Sequence, residues 1–119
     1  MIIKTDVIIV GGGPAGTACA WRLAQENVKC LVLDKAVFPR DKPCAGWVTP
    51  SVFKSLNISP EAYPQSLTTF NAFQVFLHGF KFTLPSLQYA IRRLEFDSWL
   101  QSYGDIQTIQ HTVEVVQET

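Results

Sequence analysis

Val7-Ile8-Ile9-Val10-Gly11-Gly12-Gly13-Pro14-Ala15-Gly16 is the stretch on which the reading of this 119-residue chain turns. Four β-branched apolar residues bounded by glycines have the pattern of a strand buried on both faces of a parallel sheet. The glycines make a turn, and Pro14 follows where a first helical residue tolerates proline. From Ala15 to about Glu26 the pattern is helical, with Ala15, Ala18, Cys19 and Leu23 on one small-residue face. Asn27 is a left-handed stop for that helix. Cys30-Leu31-Val32-Leu33 reads as a second buried strand that ends at Asp34. The three elements make one βαβ unit with a right-handed crossover.

Gly11-x-Gly13-x-x-Gly16 asks for glycine three times, each for its own reason. The first glycine allows the tight turn, the second lets backbone approach a pyrophosphate, and the third lets helix and strand pack closely. The N–H groups and positive dipole end of the helix then face the phosphates. Asp34 lies 18 residues beyond Gly16, at the end of the second strand. A carboxylate there accepts hydrogen bonds from an adenosine ribose and repels a 2′-phosphate. The expected ligand contains an ADP moiety, held by Gly11, Gly13, Pro14, Ala15, Gly16 and Asp34, with Lys35 alongside.

Composition narrows the remaining classes. Ten basic and ten acidic side chains cancel, apolar residues make up 47%, and charged residues only 17%. Disorder is excluded, because it needs low hydrophobicity and high net charge. The zero balance gives no electrostatic footprint for nucleic acid or an anionic membrane. Apolar runs such as Val7 to Val10 are too short to span a bilayer. The opening Met-Ile-Ile-Lys-Thr-Asp lacks the pattern of a signal peptide, so the expected address is the cytoplasm. Three cysteines with no Cys-x-x-Cys and two isolated histidines make neither a disulfide framework nor a zinc site. Cys19 and Cys30 read as small buried filler. His78 and His111 read as ordinary surface residues, in a turn and a strand, and no catalytic or metal-binding residue is assigned.

Further along, Phe38 to Gly46 is a loop with two prolines, a glycine and clustered cations. Thr49 as N-cap and Pro50 at the first position open a short helix through Leu56. Ser59-Pro60-Glu61 opens another helical turn, ending before Pro64. Phe70 to Leu77, the turn His78-Gly79, and Phe80 to Leu84 form a β-hairpin whose aromatic residues exceed what two strands can bury. Glu95 to Tyr103 is a helix with Phe96, Trp99 and Leu100 as core, capped by Gly104. Ile106 to Ile109 and Val113 to Val116 are two closing strands. The fold class is α/β: a Rossmann-like βαβ unit with a parallel sheet of three or more strands and a β-hairpin excursion.

Val-Gly-Gly-Gly-Pro-Ala-Gly, with Asp6 before the strand, resembles the opening of FAD-dependent oxidoreductases of the glutathione-reductase-like class, and Pro14-Ala15 is the flavoprotein form of the turn. Phe38-Pro39-Arg40-Asp41-Lys42-Pro43-Cys44-Ala45-Gly46 resembles the corresponding segment of geranylgeranyl reductase-like flavoenzymes. Related segments occur in flavin-dependent halogenases and aromatic-ring hydroxylases. The resemblance implies that Arg40 lies near the FAD phosphates or ribose and that Cys44, Ala45 and Gly46 line the flavin. Guanidinium contacts phosphate bidentately, and small residues let backbone amides approach a flat ring. Cations near Cys44 would lower its thiol pKa, so a reactive thiol is the alternative to simple lining. Ala45-Gly46-Trp47 departs from the family's glycine after this cysteine. Tyr89 to Leu100 resembles the family's second signature, which makes Arg93 a cofactor contact, with Arg92 next in register. A basic residue at a helix start opposes the dipole, and an anionic partner compensates it.

The resemblance implies FAD as cofactor, NAD(P)H as a possible electron donor, and a small-molecule substrate. It implies a reductase acting on isoprenoid double bonds, with a monooxygenase or halogenase as the near alternative. A non-catalytic nucleotide-binding module is the alternative of another class. An NAD-dependent dehydrogenase is disfavoured by Pro14-Ala15 and the Arg40 to Gly46 loop. Residues 1–119 then form a partial FAD/NAD(P)-binding domain, the N-terminal fragment of a larger two-domain flavoprotein. The family's later Gly-Asp segment, its β-sheet substrate domain and a strand returning to the nucleotide sheet are expected outside it. The hairpin would pack against that material, and the isolated piece would self-associate through its aromatics.

Overall fold

The computed structural model describes residues 2–118. In chain order the elements are β1 (Val7–Val10), α1 (Pro14–Gln25), β2 (Cys30–Asp34), β3 (Trp47–Val48), α2 (Pro50–Ser55), a 3₁₀ turn (Pro60–Ala62), β4 (Leu67–Leu77), β5 (Phe80–Ile91), α3 (Arg93–Tyr103) and β6 (Thr108–Gln110). They fall into two compact units: the chain up to Asp41 together with Phe96 onward, and Lys42–Glu95.

The first unit is built on a parallel sheet of order β1-β2-β6. Val7 pairs with Cys30 and Val10 with Leu33, while Val32 pairs with Thr108 and Asp34 with Gln110. Ala20, Val32, Phe96 and Leu100 form its apolar core. β6 is the first of the two expected closing strands, starting at Thr108 and not at Ile106, and it gives the parallel sheet its third strand. Residues 113–116 are irregular, not a strand. The His111 amide donates to the Asp34 carbonyl at 2.7 Å, and β2 ends there. Beyond His111 the chain has run off its partner, so His111 follows β6 instead of lying within a strand.

Two burial expectations are also corrected. β1 is not covered on both faces: Ile8 is 58% and Val10 63% exposed. α1 packs on one face of β1 and β2. On the other, Ile8, Val10 and Leu33 share an open cleft of about 720 Å³ with residues 111–117. The buried side of α1 carries Thr17 and Ala20, whereas Cys19 is exposed and Cys30 half-buried. The Thr17 hydroxyl donates to the Gly12 carbonyl at 3.0 Å, which fixes that side of the helix inward.

The second unit is an antiparallel sheet of order β3-β5-β4. His78 and Gly79 both have positive φ, 49° and 79°, the two-residue turn whose twist suits a hairpin. Both strands outrun the expected hairpin. Pro85 lies inside β5 and pairs with Ala72 beside a register shift between Phe70 and Ala72, where a missing N–H is tolerated. Val48, Phe53, Leu56, Ile58, Tyr63, Tyr89 and Ile91 make the core, with Phe53 edge-on to Tyr89 at 5.3 Å.

The helices α1, α2 and α3 end alike. Asn27, Asn57 and Asp105 take left-handed φ, and the next residue donates back to the helix: Val28 to Leu23, Ile58 to Phe53 and Ile106 to Gln101. The left-handed residue after α3 is thus Asp105, not Gly104. α3 begins at Arg93, two residues before the expected start. Phe96 and Leu100 are buried, but Trp99 is only half-buried and stacks on Tyr103 at 5.4 Å. Thr49 occupies the N-cap of α2 without capping it, and its hydroxyl pairs with that of Ser51.

Candidate nucleotide-binding site

The glycine turn is shaped by backbone geometry that other residues resist. Gly11 has φ +106°, and its amide donates to the Leu33 carbonyl at 2.7 Å. At Gly16 a Cβ would overlap the Gly11 carbonyl oxygen, so the third glycine is fixed by close approach of helix and turn. Gly13 is the N-cap of α1 and Pro14 its first residue, with no side-chain cap on the helix start. Its first turn carries no acidic residue, and Ala15 is exposed. A helix start of this kind favours an anion.

Asp34 closes the turn. Its Oδ2 accepts the Gly12 amide at 2.7 Å and its Oδ1 the Ala36 amide at 2.8 Å. Burial alone would raise its pKa. The two amides, with the charges of Arg40 and Lys35, outweigh that and hold the carboxyl below its ordinary 3.8. Lys35 itself is exposed.

Arg40 is engaged within the same unit. Its Nη1 donates to Asp97 Oδ2 at 2.8 Å, and its guanidinium lies 4.5 Å over the Phe38 ring. Asp97 is almost wholly buried and Arg40 largely so. The motif reading does not find Asp97, Gln101 or Thr17. The available signal is polar residues interleaved with the Phe96 and Leu100 stripe, at positions a helix turns inward. Gly12 escapes it too, as a free position in the glycine pattern, yet it is buried.

The first unit thus brings together Gly11, Gly13, Pro14, Ala15, Gly16, Asp34, Lys35 and Arg40. Cys44, Ala45, Gly46 and Arg93 belong to the second unit. There the Gly46 carbonyl accepts the Ile91 amide at 2.9 Å, and the Gly46 amide donates to Cys44 Sγ at 3.3 Å. Cys44 and Ala45 are exposed, and Arg93 is half-buried at the first position of α3. Trp47 is exposed, but its indole N–H donates to Gln88 Oε1 at 2.7 Å and its ring packs 5.3 Å from Phe73. Ala45 and Trp47 border an apolar cleft of about 280 Å³ floored by Ala72 and Ala90.

Residues 9–63 match the family described as NAD(P)-binding Rossmann-like domain. An uncharacterised protein of Methanosarcina barkeri is 43% identical over 103 residues, covering 82% of this chain and 26% of that protein. The digeranylgeranylglycerophospholipid reductase 2 of Methanopyrus kandleri is 31% identical over 99 residues, covering 82% of this chain and 25% of the enzyme. Among solved structures, the myxobacterial chondrochloren halogenase, one of the FAD-dependent halogenases, superposes with a TM-score of 0.79 at 20% identity, over 96% of this chain and 30% of that one. The last likeness shows the fold. No helix among the described residues is long and apolar enough to cross a membrane. The chain spans about a quarter of the length of the curated relatives it matches. By its Rossmann-like unit and its relatives, the chain is similar to flavin-dependent oxidoreductases, with geranylgeranyl reductases among its homologues.

Proposed function

We propose that this chain holds FAD for a reductase of isoprenoid double bonds. The observation that carries the reading is the closed glycine turn: an uncapped helix start with Asp34 hydrogen-bonded to the Gly12 amide. Gly11, Gly13, Pro14, Ala15 and Gly16 cradle the pyrophosphate with backbone amides, and Asp34, beside Lys35, receives the adenosine ribose hydroxyls. Arg40 supplies cationic N–H donors to phosphate or ribose, and Arg93 supplies a second cation. Cys44, Ala45 and Gly46 line the ring system with small side chains and backbone. Bound flavin supplies the hydride chemistry, while the protein supplies position and charge. A carboxylate at Asp34 repels a 2′-phosphate, so NADPH as electron donor would use a site other than this turn.

The isoprenoid substrate class rests on the reductase names among the relatives. A monooxygenase or halogenase is the second reading, favoured by the halogenase fold likeness. Three cysteines outside any disulfide, two of them exposed, suit a reducing compartment such as the cytoplasm. Titration of the purified protein with FAD, followed by flavin fluorescence, tests the cofactor. Saturable quenching that ADP competes away is the expected result. Binding of NAD with no response to FAD would overturn the flavin reading.

A further inference from the structure

Two residues of α3 hold the nucleotide turn from behind. Asp97 and Gln101 are four apart on the helix and therefore share a face. Gln101 is 9% exposed, and its Nε2 donates to the Gly12 carbonyl at 2.8 Å across 89 residues of sequence. The Thr17 hydroxyl donates to the same carbonyl at 3.0 Å. Asp97, 1% exposed, holds Arg40 at 2.8 Å. Gly12 is where these ties meet. A Cβ on it would stand 3.0 Å from Gln101 Nε2, 3.0 Å from Thr108 Oγ1 and 3.1 Å from Phe38 Cε2. The Phe38 ring in turn lies under the Arg40 guanidinium.

We propose that Asp97 and Gln101 are positioning residues that aim the Gly12–Gly13 peptide and the Arg40 guanidinium at the diphosphate of an ADP-containing ligand. The inference rests on the reading of this turn as a nucleotide site. In a trans peptide the C=O and the following N–H point in opposite directions. Two side-chain donors fix the Gly12 carbonyl toward α1 and α3. The Gly13 N–H is thereby aimed the other way, at the start of α1 where an anion is favoured. Asp97 does the corresponding work for Arg40. A guanidinium carries five N–H donors in a rigid plane, so anchoring one edge on a buried carboxylate orients the rest.

The test compares ADP with adenosine, two probes that differ only in the diphosphate. Wild-type protein, Gln101→Met and Asp97→Asn are titrated with each, by calorimetry for ADP and by NMR shifts for adenosine. Each variant is expected to weaken ADP roughly tenfold, the scale of one lost hydrogen bond to a charged group, while adenosine binding stays the same. The Gly13 amide resonance is expected to move in Gln101→Met. Generalised loosening of the fold would weaken both probes alike and overturn the proposal, as would wild-type ADP affinity in both variants. A wild-type protein that does not prefer ADP to adenosine would instead sink the reading of the turn itself. Thr17→Val removes the other donor from the same carbonyl at nearly constant volume. It is expected to act in the same direction, and it decides the question if either α3 variant fails to fold.

Discussion

The two compact units bury different kinds of side chain. Among the described residues, the buried polar side chains other than tyrosine are Thr17, Asp97 and Gln101. All three belong to the first unit, whose buried apolar residues include Val32, Phe96 and Leu100. Apart from Gly46, the buried residues of the second unit are aliphatic or aromatic, and its sheet presents Trp47, Phe70, Phe76, Phe80 and Phe82 outward. A buried polar group costs free energy unless it is hydrogen-bonded, so it persists where it fixes a geometry. In the first unit, those three side chains hold Gly12 and Arg40. Without such a demand, the second unit resembles a plain apolar core beneath an uncovered aromatic sheet.

The largest effects should come from the two cores, and the smallest aromatic effects from the hairpin tip. Phe96→Ala in the first unit and Phe53→Ala in the second should each cost about 3–5 kcal/mol, because both rings are almost wholly buried. Phe76→Ala and Phe80→Ala, at 70% and 74% exposure, should each stay within about 0.5 kcal/mol. Urea unfolding followed by circular dichroism measures all four. A cost for Phe80→Ala comparable to that for Phe53→Ala would break the comparison, since it would mean that the tip is covered in solution.

A glycine from each unit sharpens the same contrast. At Gly16 an alanine Cβ would overlap the Gly11 carbonyl, so Gly16→Ala must displace the turn, at a cost of roughly 1–3 kcal/mol. Loss of FAD and ADP binding should accompany it. Gly79 has φ +79° and open space where a methyl group would stand. Gly79→Ala therefore incurs only left-handed backbone strain, about 1–2 kcal/mol. Nucleotide binding should survive that change. Titration of both variants with ADP separates the outcomes, and equal losses of binding would refute a role for the turn.

What can be read from sequence is local. The glycine turn, both strands around it, and Asp34 are fixed by spacing within a single βαβ unit, and the structure has them where the pattern puts them. The ties at Arg40–Asp97 and Gly12–Gln101 span 57 and 89 residues, and no short pattern encodes such partners. The hairpin is longer than its pattern implies because proline stops an ordinary strand, whereas here a register shift accommodates it. The open face of β1 illustrates a different limit. Ile8 and Val10 are apolar yet more than half exposed, and sequence reports the character of a side chain, not its neighbours.

Two carboxylates, one per unit, give the mildest and most specific comparison. For Asp34, burial raises the pKa, but the Ala36 and Gly12 amides, with Arg40 and Lys35, bring it below 3.8. For Glu61 in the second unit, the Ser59 hydroxyl is the main cause of a pKa below 4.5, and the group is fully exposed. A depressed carboxyl pKa adds stability that is complete above the unfolded value and is lost as pH falls through the folded one. The Asp34 contribution should therefore be constant above about pH 5 and fade below about pH 4. Asp34→Asn should abolish that pH dependence, and Glu61→Gln should leave it nearly unchanged. The Gly12 amide resonance reports the difference directly, because it donates to Asp34. It should follow the Asp34 titration in wild-type protein and be silent across that range in Asp34→Asn. A Gly12 resonance that ignores acid in the wild type would show that the turn is not closed by its carboxylate, and the contrast between a unit organised around polar ties and one built on apolar packing would lose its clearest member.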